Sequence, residues 1–164
     1  MLIELNRREI LGVTGVGAVA LLLTRVPAVA KPAHFQVSYS DGEWRKRLGA
    51  QRYAVLREAA TERPFSSPLD EEHRKGVYSC AGCALPLFPS STKFDSGTGW
   101  PSFWAPLANA VGTTNDTSAG MERTAVHCSR CGGHLGHVFD DGPQPTGLRY
   151  CMDGVALVFH PAAA

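Results

Sequence analysis

The sequence predicts an α+β domain, mainly β, of antiparallel sheets with short N-terminal helices, stapled by one four-cysteine metal site. Three observations lead there. Short apolar runs recur from Gly76 onward, cut by Gly, Pro, Asn and Asp. The 17 glycines and 11 prolines in 164 residues supply turns and argue against a helical bundle. Two C-x-x-C units stand well apart in the chain. The length suits one domain, and 44% hydrophobic with 19% charged residues is ordinary for a globular chain. A net charge of +1 provides no electrostatic reason to bind nucleic acid.

The first thirty residues are of another kind. Ile10–Leu23 carries no charge but is shorter than the roughly 20 residues of a spanning helix. Arg7-Arg8 precedes it and Ala28-Val29-Ala30 follows, a small-x-small cleavage pattern. Residues 1–30 therefore read as a twin-arginine-like export signal cut after Ala30, with a periplasmic destination and no stable membrane anchor after processing. Asn6 and Ile10 depart from the usual residues of that signal, and an uncleaved anchor is the alternative.

Residues 31–40 read as a flexible leader to a domain over 41–164. Asp41–Leu48 and Gln51–Ala59 read as two short helices, capped at Ser40 or Asp41, with Trp44/Leu48 and Tyr53/Leu56 as narrow apolar faces. Pro64 ends the helical pattern. The expected strands are 77–79, 84–88, 110–112, 124–127, 134–139, 148–152 and 155–160, joined by connections short enough for antiparallel pairing.

Cys80-Ala81-Gly82-Cys83 and Cys128-Ser129-Arg130-Cys131 are separated by residues 84–127. A two-residue gap lets both thiolates of a knuckle face one tetrahedral ion, and two such units predict a structural Zn²⁺, one per chain. Gly82 and Gly132 are the expected flexible turn residues. Local or crossed disulfides are the alternative in an oxidising compartment.

That leaves Cys151. On a strand, period two puts Arg149, Cys151 and Asp153 on one face, where a guanidinium favours the reactive thiolate. A small buried hydrophobe is the competing reading. His134 and His137, three apart, would point to opposite faces of a flat strand unless Gly136 bends it towards one pocket. The Gly97-Thr98-Gly99 loop presents Trp100, whose indole suits a methyl–sulfur group or simply fills the core.

Together, Thr61–Phe65, Tyr78–Cys80, Lys93–Phe103, Gly120–Arg123, His134–Pro143 and Arg149–Cys151 resemble the methionine-R-sulfoxide reductases of the MsrB type, over about residues 44–159. The resemblance implies reduction of methionine-R-sulfoxide in oxidised proteins. It makes Cys151 the nucleophile, passing through a sulfenic acid that an external thiol reductant clears. It makes His134 and His137 the pair beside the sulfoxide oxygen, Arg149 the cation near sulfur, and Trp100 with Phe139 the substrate wall. The four knuckle cysteines become zinc ligands. A zinc-stapled binding module without catalysis is the alternative from another class. Thr98 stands where many members carry a second, resolving cysteine, and Asp153 where the family usually has Asn. A carboxylate there opposes the thiolate but supports a protonated His137. With the second effect expected to prevail, Asp153→Asn should lower activity above neutral pH.

Overall fold

The computed structural model describes residues 34–163; the expected signal and the first residues of the leader lie outside them. Among the described residues no helix is long and apolar enough to cross a membrane. Helix α1 spans Asp41–Glu58, and Ser40 caps it by accepting the Glu43 N–H at 3.3 Å. Gly49, at φ 71° and ψ 173°, breaks it, so the two expected helices meet at one non-helical residue. Trp44, Tyr53, Val55 and Leu56 form its buried side.

Nine strands follow: β1 Gly76–Cys80, β2 Pro86–Pro89, β3 Lys93–Phe94, β4 Ser102–Phe103, β5 Val111–Asp116, β6 Arg123–Cys128, β7 His134–Phe139, β8 Arg149–Met152 and β9 Leu157–Pro161. They form two antiparallel sheets, ordered β2-β1-β9 and β3-β4-β8-β7-β6-β5. The mainly β, antiparallel architecture is the one expected. Strand β7 matches its expected bounds, while β3 and β4 were not anticipated.

An aromatic cluster joins the sheets. Tyr78 of β1 meets Phe103 of β4 edge-on at 4.9 Å, and Phe88 of β2 stacks on Phe103 at 4.5 Å. All three rings are fully buried. Such pairs contribute roughly 0.5–1.5 kcal/mol each beyond burial. The Tyr78 hydroxyl donates to the Glu72 carbonyl, so no buried polar group is stranded there.

Part of the segment read as a loose leader is packed. Phe35 meets the His127 ring at 5.8 Å, and the Val37 N–H donates to the Arg130 carbonyl at 3.1 Å. Gly132 explains the first contact: a Cβ there would lie 2.3 Å from the Phe35 ring.

Candidate active site and metal centre

The knuckles bring four sulfurs together. Cys80 Sγ lies 3.7 Å from Cys131 Sγ, and Cys83 Sγ lies 3.5 Å from Cys128 Sγ. The four Sγ atoms all lie within 4.8 Å of one another. These spacings far exceed the roughly 2.0 Å of a disulfide, and all are free thiols, so the disulfide alternative does not describe this chain. Both turns are built alike: the Ala84 N–H donates to the Cys80 carbonyl at 2.8 Å, and the Gly132 N–H to the Cys128 carbonyl at 2.9 Å. The left-handed residue is the one after each second cysteine, Ala84 at φ 57° and Gly132 at φ 69°. Gly82, expected to fill this role, does not take that conformation. The Gly82 N–H instead donates to Cys80 Sγ at 3.4 Å.

Cys151 sits apart from this cluster, partly buried on β8. Strand β7 runs beside it with His137 paired to Cys151 and Phe139 paired to Arg149. Side chains alternate along a strand, so these four residues share one face. Gly136 permits the approach: at φ 145° it takes a conformation that favours glycine, and a Cβ would lie 2.1 Å from the Cys151 carbonyl oxygen. With this bend, the His134 and His137 rings come within 5.3 Å.

A small cavity of about 120 Å³ opens over the sulfur, lined by Trp100, Arg123, His137, Phe139, Cys151 and Asp153 among others. The Trp100 indole is fixed by donating to the Glu62 carbonyl at 3.2 Å. His134 lines the adjoining cavity instead, with Asp116 and Glu58, and His137 lines both. Arg149 lies 4.5 Å over the Phe139 ring and is clamped to Asp141 by bonds of 2.8 and 2.7 Å.

The chain from residue 48 to 161 matches the SelR domain. The chain belongs to the SelR (MsrB) family. It is 53% identical over 127 residues to "Peptide methionine sulfoxide reductase MsrB" of Agrobacterium fabrum, covering 77% of this chain and 94% of that protein. The same-named protein of Thiobacillus denitrificans is 55% identical over 123 residues, covering 74% and 93%. That of Pseudomonas putida (strain W619) is 57% identical over 120 residues, covering 73% and 90%.

Two residues to which the sequence alone assigns no role organise this MsrB-family site. Asp116 Oδ2 lies 2.7 Å from His137 Nε2 and accepts from Arg123 at 2.8 Å. Hydrogen bonds from Ser118, then His137, hold its carboxyl well below the usual carboxylate range. Glu62 accepts the Gly154 and Val155 N–H groups, while its own N–H donates to Asp153 Oδ1 at 2.9 Å. Asp116 is 21 residues from His137 and Glu62 is 91 from Asp153, so no local spacing announces either pair.

The charge balance also differs from the expectation. Burial pushes the Cys151 thiol up, and the Thr98 contact, then the Arg149 charge, oppose this only in part. His134 is driven down to about 4, by burial first and by His137 next, so it is neutral at pH 7. Its Nε2 is buried without a partner among the described residues. Asp153 is 3% exposed, and burial pushes it up to about 7. The carboxylate bonded to His137 is Asp116, whereas Asp153 Oδ1 accepts from the Glu62 N–H. The support expected from Asp153 for a protonated His137 therefore falls first to Asp116.

Proposed function

We propose that this chain reduces the R epimer of methionine sulfoxide in oxidised proteins to methionine, with Cys151 as nucleophile and an external thiol as reductant. The β7–β8 register supports this most directly, because it sets His137 opposite Cys151 in a pocket walled by Trp100. Family membership favours this reaction over a binding module, which would have no use for that convergence.

The substrate methyl rests against the Trp100 indole, whose face suits a methyl–sulfur group. Cys151 thiolate attacks the sulfoxide sulfur, and His137 protonates the oxygen as its bond to that sulfur breaks. With Nε2 paired to Asp116, Nδ1 is the nitrogen left for this task. His134, neutral, offers a hydrogen bond rather than a full charge. The oxygen departs as water and leaves a bond between Cys151 sulfur and the methionine sulfur. Water then attacks Cys151 sulfur, that bond breaks, methionine leaves with the two electrons Cys151 has given up, and Cys151 is left as a sulfenic acid. Two equivalents of an external thiol, low-molecular-weight or thioredoxin-like, return Cys151 to the thiol and release water.

Thr98 Oγ1 lies 3.9 Å from Cys151 Sγ, so the position that would hold a resolving cysteine faces the nucleophile and holds a hydroxyl. The other four cysteines form the knuckle cluster. After one equivalent of R-sulfoxide without reductant, dimedone should therefore tag Cys151. A Cys151 disulfide to a knuckle cysteine, with loss of metal, would overturn this reading.

The knuckle thiolates would hold Zn²⁺, one per chain, in a structural role. A zinc tetrahedron with bonds of about 2.3 Å has sulfur edges of about 3.8 Å, close to the spacings here. Four protein ligands leave no position for substrate. The ion's place is to tie the end of β1 to the end of β6, and so one sheet to the other.

Export to the periplasm through the twin-arginine route rests on Arg7, Arg8 and the Ala28-Val29-Ala30 site, with an uncleaved anchor as the other outcome. Changing both arginines to Lys should leave the precursor unprocessed inside the cell. Normal processing of that variant would point to general secretion instead.

A further inference from the structure

Beside Cys151, among residues that do not line the pocket, runs a chain of three hydroxyls. Thr98 Oγ1 contacts Cys151 Sγ at 3.9 Å. Ser96 Oγ lies 2.8 Å from Thr98 Oγ1 and 2.8 Å from Ser102 Oγ. Ser102 Oγ ends the chain by donating to the Trp100 carbonyl at 3.0 Å. Ser102 is 0% exposed and pairs with Cys151 across β4 and β8, so the chain is built into the sheet.

The terminal carbonyl sets a direction. A carbonyl only accepts, and each hydroxyl has one proton to give. Ser102 gives its proton to Trp100, so Ser96 must donate to Ser102 and Thr98 to Ser96. Thr98 then has none left for sulfur, and the Cys151 S–H donates to Thr98 Oγ1. This polarity favours the thiol. A thiolate reverses every link: Thr98 donates to sulfur, Ser96 to Thr98 and Ser102 to Ser96. The Trp100 carbonyl then loses its hydroxyl donor, at a buried site where replacement by water is hindered.

We propose that Thr98, Ser96 and Ser102 form a reversible hydroxyl relay that sets the protonation state of Cys151, with Thr98 the donor to the thiolate and Ser102 the anchor of the opposite polarity. This rests on Cys151 being the nucleophile and adds the group that supports its ionised form. The charged groups around the sulfur are Arg149 on β8, His137 opposite on β7, Arg123 on β6 and Asp153 just beyond β8. All of them stay in place in the hydroxyl variants.

Thr98 and Ser96 carry opposite signs, which supplies the test. The measurement is the pH dependence of Cys151 alkylation by iodoacetamide, followed by mass spectrometry on metal-loaded protein. Thr98→Val removes the donor to the thiolate and should slow alkylation at neutral pH about tenfold, the scale of one hydrogen bond to a charged group. Thr98→Ser keeps the hydroxyl and should restore the wild-type profile. Ser96→Ala removes the hydroxyl that takes the Thr98 proton, which frees Thr98 for the sulfur, and should speed alkylation about threefold. Ser102 also reaches the Cys151 sulfur directly and favours the thiolate, so its replacement mixes both signs. Shifts in one common direction, or none, would overturn the relay. Opposite shifts in a protein whose wild type leaves R-sulfoxide untouched would keep the relay and fault the reaction assignment.

Discussion

Replacing Cys80 or Cys128 by Ser is expected to leave the chain unfolded, not merely inactive. The four thiolates draw the ends of β1 and β6 onto one point, and three of the four cysteines are buried. Structural zinc contributes roughly 10–16 kcal/mol of apparent binding free energy, comparable with the whole 5–15 kcal/mol stability of a domain. Three thiolates without the fourth bind far more weakly and leave buried thiols without their ion. Circular dichroism on heating, with metal analysis of the same sample, checks this. The wild type should show close to one zinc per chain and a cooperative transition. A metal-free Cys80→Ser variant that melts like the wild type would remove the structural role.

The second large effect lies at Asp153, where the sign depends on pH. Burial raises its carboxyl from the ordinary 3.8 to about 7. Between about pH 4 and 7 the folded chain keeps a proton that the unfolded chain has released, so stability falls as pH rises through that window. The cost is complete above pH 7 and amounts to as much as about 4 kcal/mol. Asp153→Asn keeps an acceptor oxygen for the Glu62 N–H but cannot ionise. Its stability should equal that of the wild type near pH 4 and exceed it increasingly towards pH 8. Denaturant unfolding at pH 4, 6 and 8 reads the difference directly. Cys151 should also alkylate faster in the variant above pH 7, because the Asp153 charge raises the thiol. Parallel stability curves would show that the carboxyl is not held protonated by the fold.

Features carried by short-range pattern were legible in the sequence. The paired knuckles specify a four-sulfur cluster because two-residue gaps constrain both thiolates of each unit. The run His134–Phe139 became β7 with its expected bounds, and Gly136 within it takes a backbone conformation that favours glycine. The break between the two expected helices fell at Gly49. What stayed hidden depends on long-range pairing. Strands β3 and β4 are two residues each, too short to show alternation. Asp116 reaches His137 only because β5, β6 and β7 lie side by side. Glu62 meets Asp153 only once the segment after α1 has folded back over β8. For Cys151, spacing shows that Arg149 shares its face and favours the thiolate, but not that Asp141 clamps the guanidinium or how deeply the sulfur is covered.

Turnover of separated R and S epimers of methionine sulfoxide, with dithiothreitol as reductant and methionine as the detected product, tests the central claim most directly. The chain should convert the R epimer and leave the S epimer essentially untouched, and Cys151→Ser should abolish the conversion while keeping its zinc and its melting transition. Equal use of both epimers, or R-specific turnover that survives Cys151→Ser, would contradict it.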